Sequence, residues 1–216
     1  MVMAGKEIFT DCSVCGSLNC YKREKNFAKN CPTANIDPEL KDAALKEYFE
    51  DDFTKKASGA SAEVEGKFYG KLTRIEEIAE FAARMGYKTL GIASCVGLAK
   101  ETSVFAGFLR GRGFTVHDFV CKIGSVDKTQ GGIPEENKIA PGNFEAMCNP
   151  VLQAQLLAEH GTEFNIIVGL CVGHDSIFIH HSKAPVTYFI VKDRVLAHNP
   201  AAAVYTCGSY YKKIFD

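Results

Sequence analysis

Four of the nine cysteines fall within the first 31 residues, as Cys12, Cys15, Cys20 and Cys31 in a C-x2-C-x4-C-x10-C run. Thiolates hold soft or borderline metals, and a C-x2-C pair sets two sulfurs on one turn, close to what a tetrahedral site needs. Cys20 and Cys31 would supply the third and fourth ligands. Four thiolates suit either zinc or an iron–sulfur cluster of the 4Fe-4S type, and a Cys-Pro ending like Cys31-Pro32 closes ferredoxin-type runs. Lys22, Arg23, Lys25 and Lys29 lie among these ligands and would offset a site's negative charge. The segment is polar and short of branched aliphatics, so it offers no core in which idle cysteines could be buried.

A second set is spread along the rest of the chain. Cys95 and Cys171 each follow an apolar run of strand type, in Gly91-Ile92-Ala93-Ser94-Cys95-Val96-Gly97 and Ile167-Val168-Gly169-Leu170-Cys171-Val172-Gly173. Cys121 ends a third such run, and Cys148 precedes a helix cap. Active groups of open α/β sheets gather at the carboxyl ends of the strands. Cys95, Cys121, Cys148 and Cys171 are therefore expected on one rim, as ligands of a second metal or cluster. The competing expectation is plain burial, because free cysteine is among the most buried residue types. Cys207, inside the last helix, reads as core.

Cys171 also admits a catalytic reading, as the nucleophile of a hydrolase or transferase. Gly169-Leu170-Cys171-Val172-Gly173 matches G-x-C-x-G, the strand-to-helix elbow that exposes a nucleophile above an α/β sheet. Such a sulfur is activated by a nearby base. His174 is the near candidate and His198 the distant one. His117 reads as structural in a strand, and His180-His181 as the exposed end of a helix.

These groups need elements to hold them. Asp37-Pro38-Glu39 is a helix start, with the helix running to about Phe49 and Leu40, Ala44, Leu45, Tyr48 and Phe49 turned inward. Residues 51–71 read as loop or weak helix. Thr73-Arg74-Ile75-Glu76 is a capping box for a helix that Gly86 ends. Strands are expected at Thr89–Ala93, Phe114–Val120, Asn165–Leu170 and Val186–Val191, the last able to turn back through Lys192-Asp193 into Val195-Leu196. Helices should reach Arg112, run from Asn149-Pro150 to Gly161, and start at Asn199-Pro200.

Strands and helices alternating in this way imply an α/β fold with a mostly parallel, Rossmann-like sheet, helices on both faces and right-handed crossovers. Residues 1–36 read as a cysteine-rich metal-binding module and 37–216 as the α/β domain. Residues 123–147 show no period, and a loop this long, with Lys128 and Gly131-Gly132, could close over the rim.

Composition excludes several classes. Hydrophobic content of 46% and charged content of 24% are ordinary for a globular protein. Lys+Arg 25 against Asp+Glu 26 gives 25 − 26 = −1, which exerts no general pull on nucleic acid or anionic membrane. No uncharged stretch reaches the ~18 residues of a membrane helix, and Met1–Lys6 lacks the apolar run of a secretory signal. A cytoplasmic protein is expected, with reduced thiols and no disulfide framework. Metal ligation, burial or an anaerobic habitat would each explain why nine thiols persist.

Several motifs stand in a distinctive order: Cys12-x2-Cys15-x4-Cys20, Cys121-Lys122-Ile123-Gly124, Ala146-Met147-Cys148-Asn149-Pro150, Gly169-Leu170-Cys171-Val172-Gly173-His174-Asp175, and Lys192-Asp193-Arg194 with His198-Asn199-Pro200. Together they resemble an uncharacterised family of predicted metal-binding proteins from archaea and anaerobic bacteria. The resemblance covers nearly the whole chain. It implies that the cysteines are ligands and leaves the metal open. The expected function is a metal- or iron–sulfur-binding protein with a redox or sulfur-handling role, meeting a redox partner or a small-molecule substrate. A zinc-stabilised small-molecule binding protein is the remaining alternative.

Overall fold

The computed structural model describes residues 11–23 and 25–214, grouped into two compact units divided between Gly59 and Ala60. In the first unit, α1 (Pro32–Asn35) follows Cys31, and α2 (Pro38–Glu50) begins where Asp37 accepts a hydrogen bond from the Glu39 N–H at 2.9 Å. The cap is as the sequence predicts, but the inward face is not. Leu40 is 63% exposed and Phe49 61%, with Ala44, Leu45 and Tyr48 also exposed. An apolar stripe is buried only where a second apolar layer faces it, and no residue of α2 is buried.

Of the two readings for residues 51–71, loop or weak helix, the structure has the helix, α3 (Asp52–Phe68). Asp51 accepts from the Thr54 N–H at 2.7 Å, which holds its carboxyl below the usual range and starts the helix. Ala60 and Val64, one turn apart, are buried and offset the roughly 1 kcal/mol that each interior glycine costs a helix.

The second unit is built on four parallel strands, β1 (Thr89–Ser94), β2 (Thr115–Val120), β3 (Phe164–Val168) and β4 (Val186–Ile190), in the order β2-β1-β3-β4. Helices cover both faces. Against one pack α4 (Arg74–Met85) and α5 (Ala99–Gly111), through Ile78, Ala82, Phe105 and Leu109 onto Leu90, Ile92, Ile166 and Val168. Against the other pack α6 (Pro150–Glu159) and α7 (His174–His181), through Ala154, Leu157 and Phe178 onto Ala93 and Ile167. The chain leaves β1 toward the first face and β3 toward the second, so a topological switch point lies between these neighbours. Leu98 and Gly169 meet there, and a Cβ on Gly169 would collide with Leu98. Gly169 also has φ +65°, which favours glycine.

Other expectations are corrected. Val195-Leu196 is no return strand: the Asp193 carboxylate accepts from both N–H groups, at 2.9 and 2.8 Å, and folds the segment into a turn. The last helix, α8 (Ala201–Tyr205), ends before Cys207, which is exposed rather than core. No helix among the described residues is long and apolar enough to cross a membrane.

Residues 123–147 form an ordered excursion around one carboxylate. Asp127 accepts from the Thr129 N–H (2.9 Å) and hydroxyl (2.7 Å) and the Glu145 N–H (2.9 Å), and pairs with Lys138 at 3.0 Å. The Thr129 hydroxyl, with these other donors, holds its carboxyl well below the usual range. A carboxyl depressed on folding stabilises above its unfolded value near 4, and that contribution is lost as pH falls from there toward the folded value. Hydrogen-exchange protection of the Glu145 amide should therefore drop on acidification below about pH 4. Asp127→Asn should lower the same protection already at neutral pH.

Candidate functional site: a thiol cluster on the carboxyl rim

The ladder places the first two sulfurs. Register pairs run to Ser94↔Val120, so Cys95 and Cys121 are the next neighbours across β1 and β2. The Cys121 N–H donates to the Ser94 carbonyl at 2.8 Å, and the Cys95 N–H to the Val168 carbonyl at 3.0 Å. The 123–147 excursion returns the third. Met147 N–H donates to the Val126 carbonyl (2.8 Å) and Asn149 N–H to the Cys121 carbonyl (2.8 Å), setting Cys148 beside the end of β2. The Asn149 side chain then caps α6 by accepting from the Leu152 N–H at 3.0 Å.

Cys121 is the hub. It is 2% exposed and packs in one cluster with Cys95 and Cys148, and its sulfur accepts from the Val96 N–H at 3.4 Å. Its thiol is pushed up by the Cys148 contact, then by Cys95 and burial. The neighbours move the other way. Cys95 is drawn down to about 4, first by its neighbour Cys121, helped by the Gly97 N–H and the Lys192 ammonium. Cys148 is drawn down to about 5, again first by Cys121, with Lys122 and His174 adding to it. Lys122 is fixed by donating to the Ala146 carbonyl at 2.5 Å. A Cβ on Gly97 would stand 3.7 Å from Lys192 Nζ and 3.9 Å from Cys95 Sγ, so cation and sulfur both overlie bare glycine backbone.

Cys171 lies apart from this trio, half-buried at the elbow after β3. Arg194 donates to its sulfur at 2.9 Å, while its carbonyl accepts from the His174 N–H (2.9 Å). His174 Nδ1 is buried with no hydrogen-bond partner among the described residues, and its ring acts electrostatically on Cys148. His198 is spent locally, its Nδ1 accepting from the Asp193 N–H at 3.1 Å. His117 is half-buried, its ring tilted 50° to that of His160 at 4.5 Å, and His180 and His181 end α7 exposed.

Of the N-terminal four, Cys12 and Cys20 are exposed and Cys15 and Cys31 half-buried. The Leu18 and Ser17 N–H groups and the Ser17 hydroxyl draw the Cys15 thiol down. Among the described residues, no three Cys, His, Asp or Glu side chains surround a common point at metal-binding range. The rim sulfurs are joined pairwise through Cys121 instead.

Gln153 escaped the sequence reading. It is fully buried on α6, and its amide donates to the Ser94 carbonyl (3.1 Å) and the Phe119 carbonyl (2.6 Å), tying together the strand ends that carry Cys95 and Cys121. Its one signal was a polar residue within the apolar run of α6. Gln153→Ala should cost about 2–3 kcal/mol, from the cavity and the two lost hydrogen bonds, measured by urea unfolding.

Fold and rim together define a doubly wound, all-parallel α/β protein with a thiol cluster at the carboxyl edge of its sheet. The family model described as protein of unknown function, DUF1847, matches residues 31–189, and the chain belongs to that family. The uncharacterised protein MJ0455 of Methanocaldococcus jannaschii is 44% identical over 205 residues, covering 95% of this chain and 98% of that protein. No solved structure matches the chain.

Proposed function

We propose that the rim is a metal or iron–sulfur centre held by Cys95, Cys121 and Cys148, with Cys171 or His174 Nδ1 completing the set, in a cytoplasmic protein with a redox or sulfur-handling role. The observation that carries this is Cys121, a buried thiol in contact with two other cysteines. The donor set fits: soft sulfurs, an orphaned imidazole nitrogen, and Lys122 and Lys192 to offset the charge. Bound there, a cluster would store an electron and zinc would act as a Lewis acid. The chain's own part is to hold the sulfurs on two strand ends and a helix cap, and to shield them with the Leu170 side chain packed in the same cluster. A redox partner or small substrate would approach the half-buried Cys148 and Cys171.

The N-terminal Cys12, Cys15, Cys20 and Cys31 are proposed as a second set, supported by their spacing and by the N–H groups that face the Cys15 sulfur. Iron, zinc and acid-labile sulfide should be measured on anaerobically isolated protein. Iron with sulfide and a broad band near ~400 nm supports a cluster. Zinc alone moves the reading to a zinc-stabilised binding protein, and neither metal overturns it. A Cys12→Ser, Cys15→Ser double variant separates the two sets, because the rim should keep its share.

The Arg194 contact favours a second reading, with Cys171 as a nucleophile, since a guanidinium offers an electropositive partner to a reacting sulfur. His174 Nδ1 makes no hydrogen bond to that sulfur. Site-resolved alkylation at neutral pH decides: this reading requires Cys171 to be the fastest thiol and Arg194→Ala to slow it.

A further inference from the structure

We propose that the rim, when free of metal, performs thiol–disulfide exchange, with Cys148 as the entry thiol and Cys95–Cys121 as the disulfide formed. The inference rests on where the ladder places the cysteines and stands apart from the metal reading. Cys95 and Cys121 follow Ser94↔Val120 in parallel register, so their Cα atoms are one strand spacing apart, ~4.8 Å. That lies inside the ~4.4–6.8 Å that a disulfide spans. Both side chains face the α6 side of the sheet, in one cluster with Cys148. Exposure sets the order of events. Cys121 is 2% exposed and Cys95 7%, whereas Cys148 is half-buried and reachable from outside.

The oxidant is a low-molecular-weight disulfide, RS–SR. Cys148 attacks one sulfur, the RS–SR bond breaks, and the first RSH leaves with the Cys148 proton. Cys121 then attacks the Cys148 sulfur and displaces the second RSH, which takes the Cys121 proton. Cys95 attacks the Cys121 sulfur, closing Cys95–Cys121 and returning Cys148 as a thiol with the Cys95 proton. In sum, two protein thiols give two electrons and two protons, and RS–SR becomes two RSH.

Full-length protein treated with chelator is exposed to oxidised glutathione, quenched by alkylation and mapped by peptide mass spectrometry. The expected product links Cys95 to Cys121 with Cys148 alkylated. Cys148→Ser should slow its formation about tenfold or more, because the entry thiol is gone, while Cys207→Ser, at an exposed thiol with no part in the rim, leaves the rate unchanged. Circular dichroism checks that each variant is folded, and Cys148→Ala replaces the serine variant if it is not. The proposal is overturned if Cys121 remains a free thiol, if it pairs with Cys171 or an N-terminal cysteine, or if folded Cys148 variants react at the wild-type rate. Metal content is measured before the chelator is added, so a protein without metal can still exchange, and one that does not exchange can still hold metal.

Discussion

Cys121→Ser should abolish the rim centre, whereas Cys207→Ser should leave it whole. Cys121 is the sulfur common to both pairwise contacts of the cluster, so its loss separates Cys95 from Cys148 and removes one ligand. Loss of outer-sphere partners alone costs roughly 10–100-fold in metal affinity, so loss of this ligand should exceed about a hundredfold. Cys207 is exposed just past the end of α8 and lies outside the buried cluster that holds the trio. Metal-to-protein ratios of the two variants, beside wild type, check this. Equal metal in both would sink the assignment.

Gly91→Ala should be the most damaging conservative change in the sheet. A Cβ on Gly91 would run into the Asn165 side chain and stand 2.9 Å from a Leu157 methyl. Neither neighbour can retreat. Asn165 is 1% exposed, accepting from the Thr162 hydroxyl at 2.8 Å and donating to the Ser182 hydroxyl at 2.9 Å, and Leu157 is fully buried. Overpacking costs about 1–3 kcal/mol, and breaking the buried polar set a similar amount, so a loss of about 3–5 kcal/mol is expected. Thermal unfolding should show it as a fall of roughly 10 °C or more in Tm. A change under ~2 °C would mean that the strands part to admit the methyl group.

The parallel sheet was legible because its four strands are short apolar runs separated by capped helices. Thr73-Arg74-Ile75-Glu76 and Asn149-Pro150 marked helix starts that the structure places at Arg74 and Pro150. Sequence could not reach effects that depend on what lies opposite. The stripe of α2 has correct spacing yet none of its residues is buried, and α3 carries small residues whose burial is decided by packing. At the rim, strand ends identified Cys95, Cys121 and Cys171 as neighbours of one edge, yet not which sulfurs would touch. That Cys148 joins Cys121, while Cys171 turns to Arg194, follows from the hydrogen bonds of the 123–147 excursion and of the turn after β4. Neither is written in a local pattern.

The excursion built on Asp127 gives the rim an unequal anchorage. Two sulfurs are fastened to adjacent strands by the ladder, whereas the third is delivered on a detour whose firmness depends on a single carboxylate and its donors. Gentle heating or acid should therefore detach Cys148 before the sheet yields, turning a three-point grip into a two-point one while the rest of the fold stands.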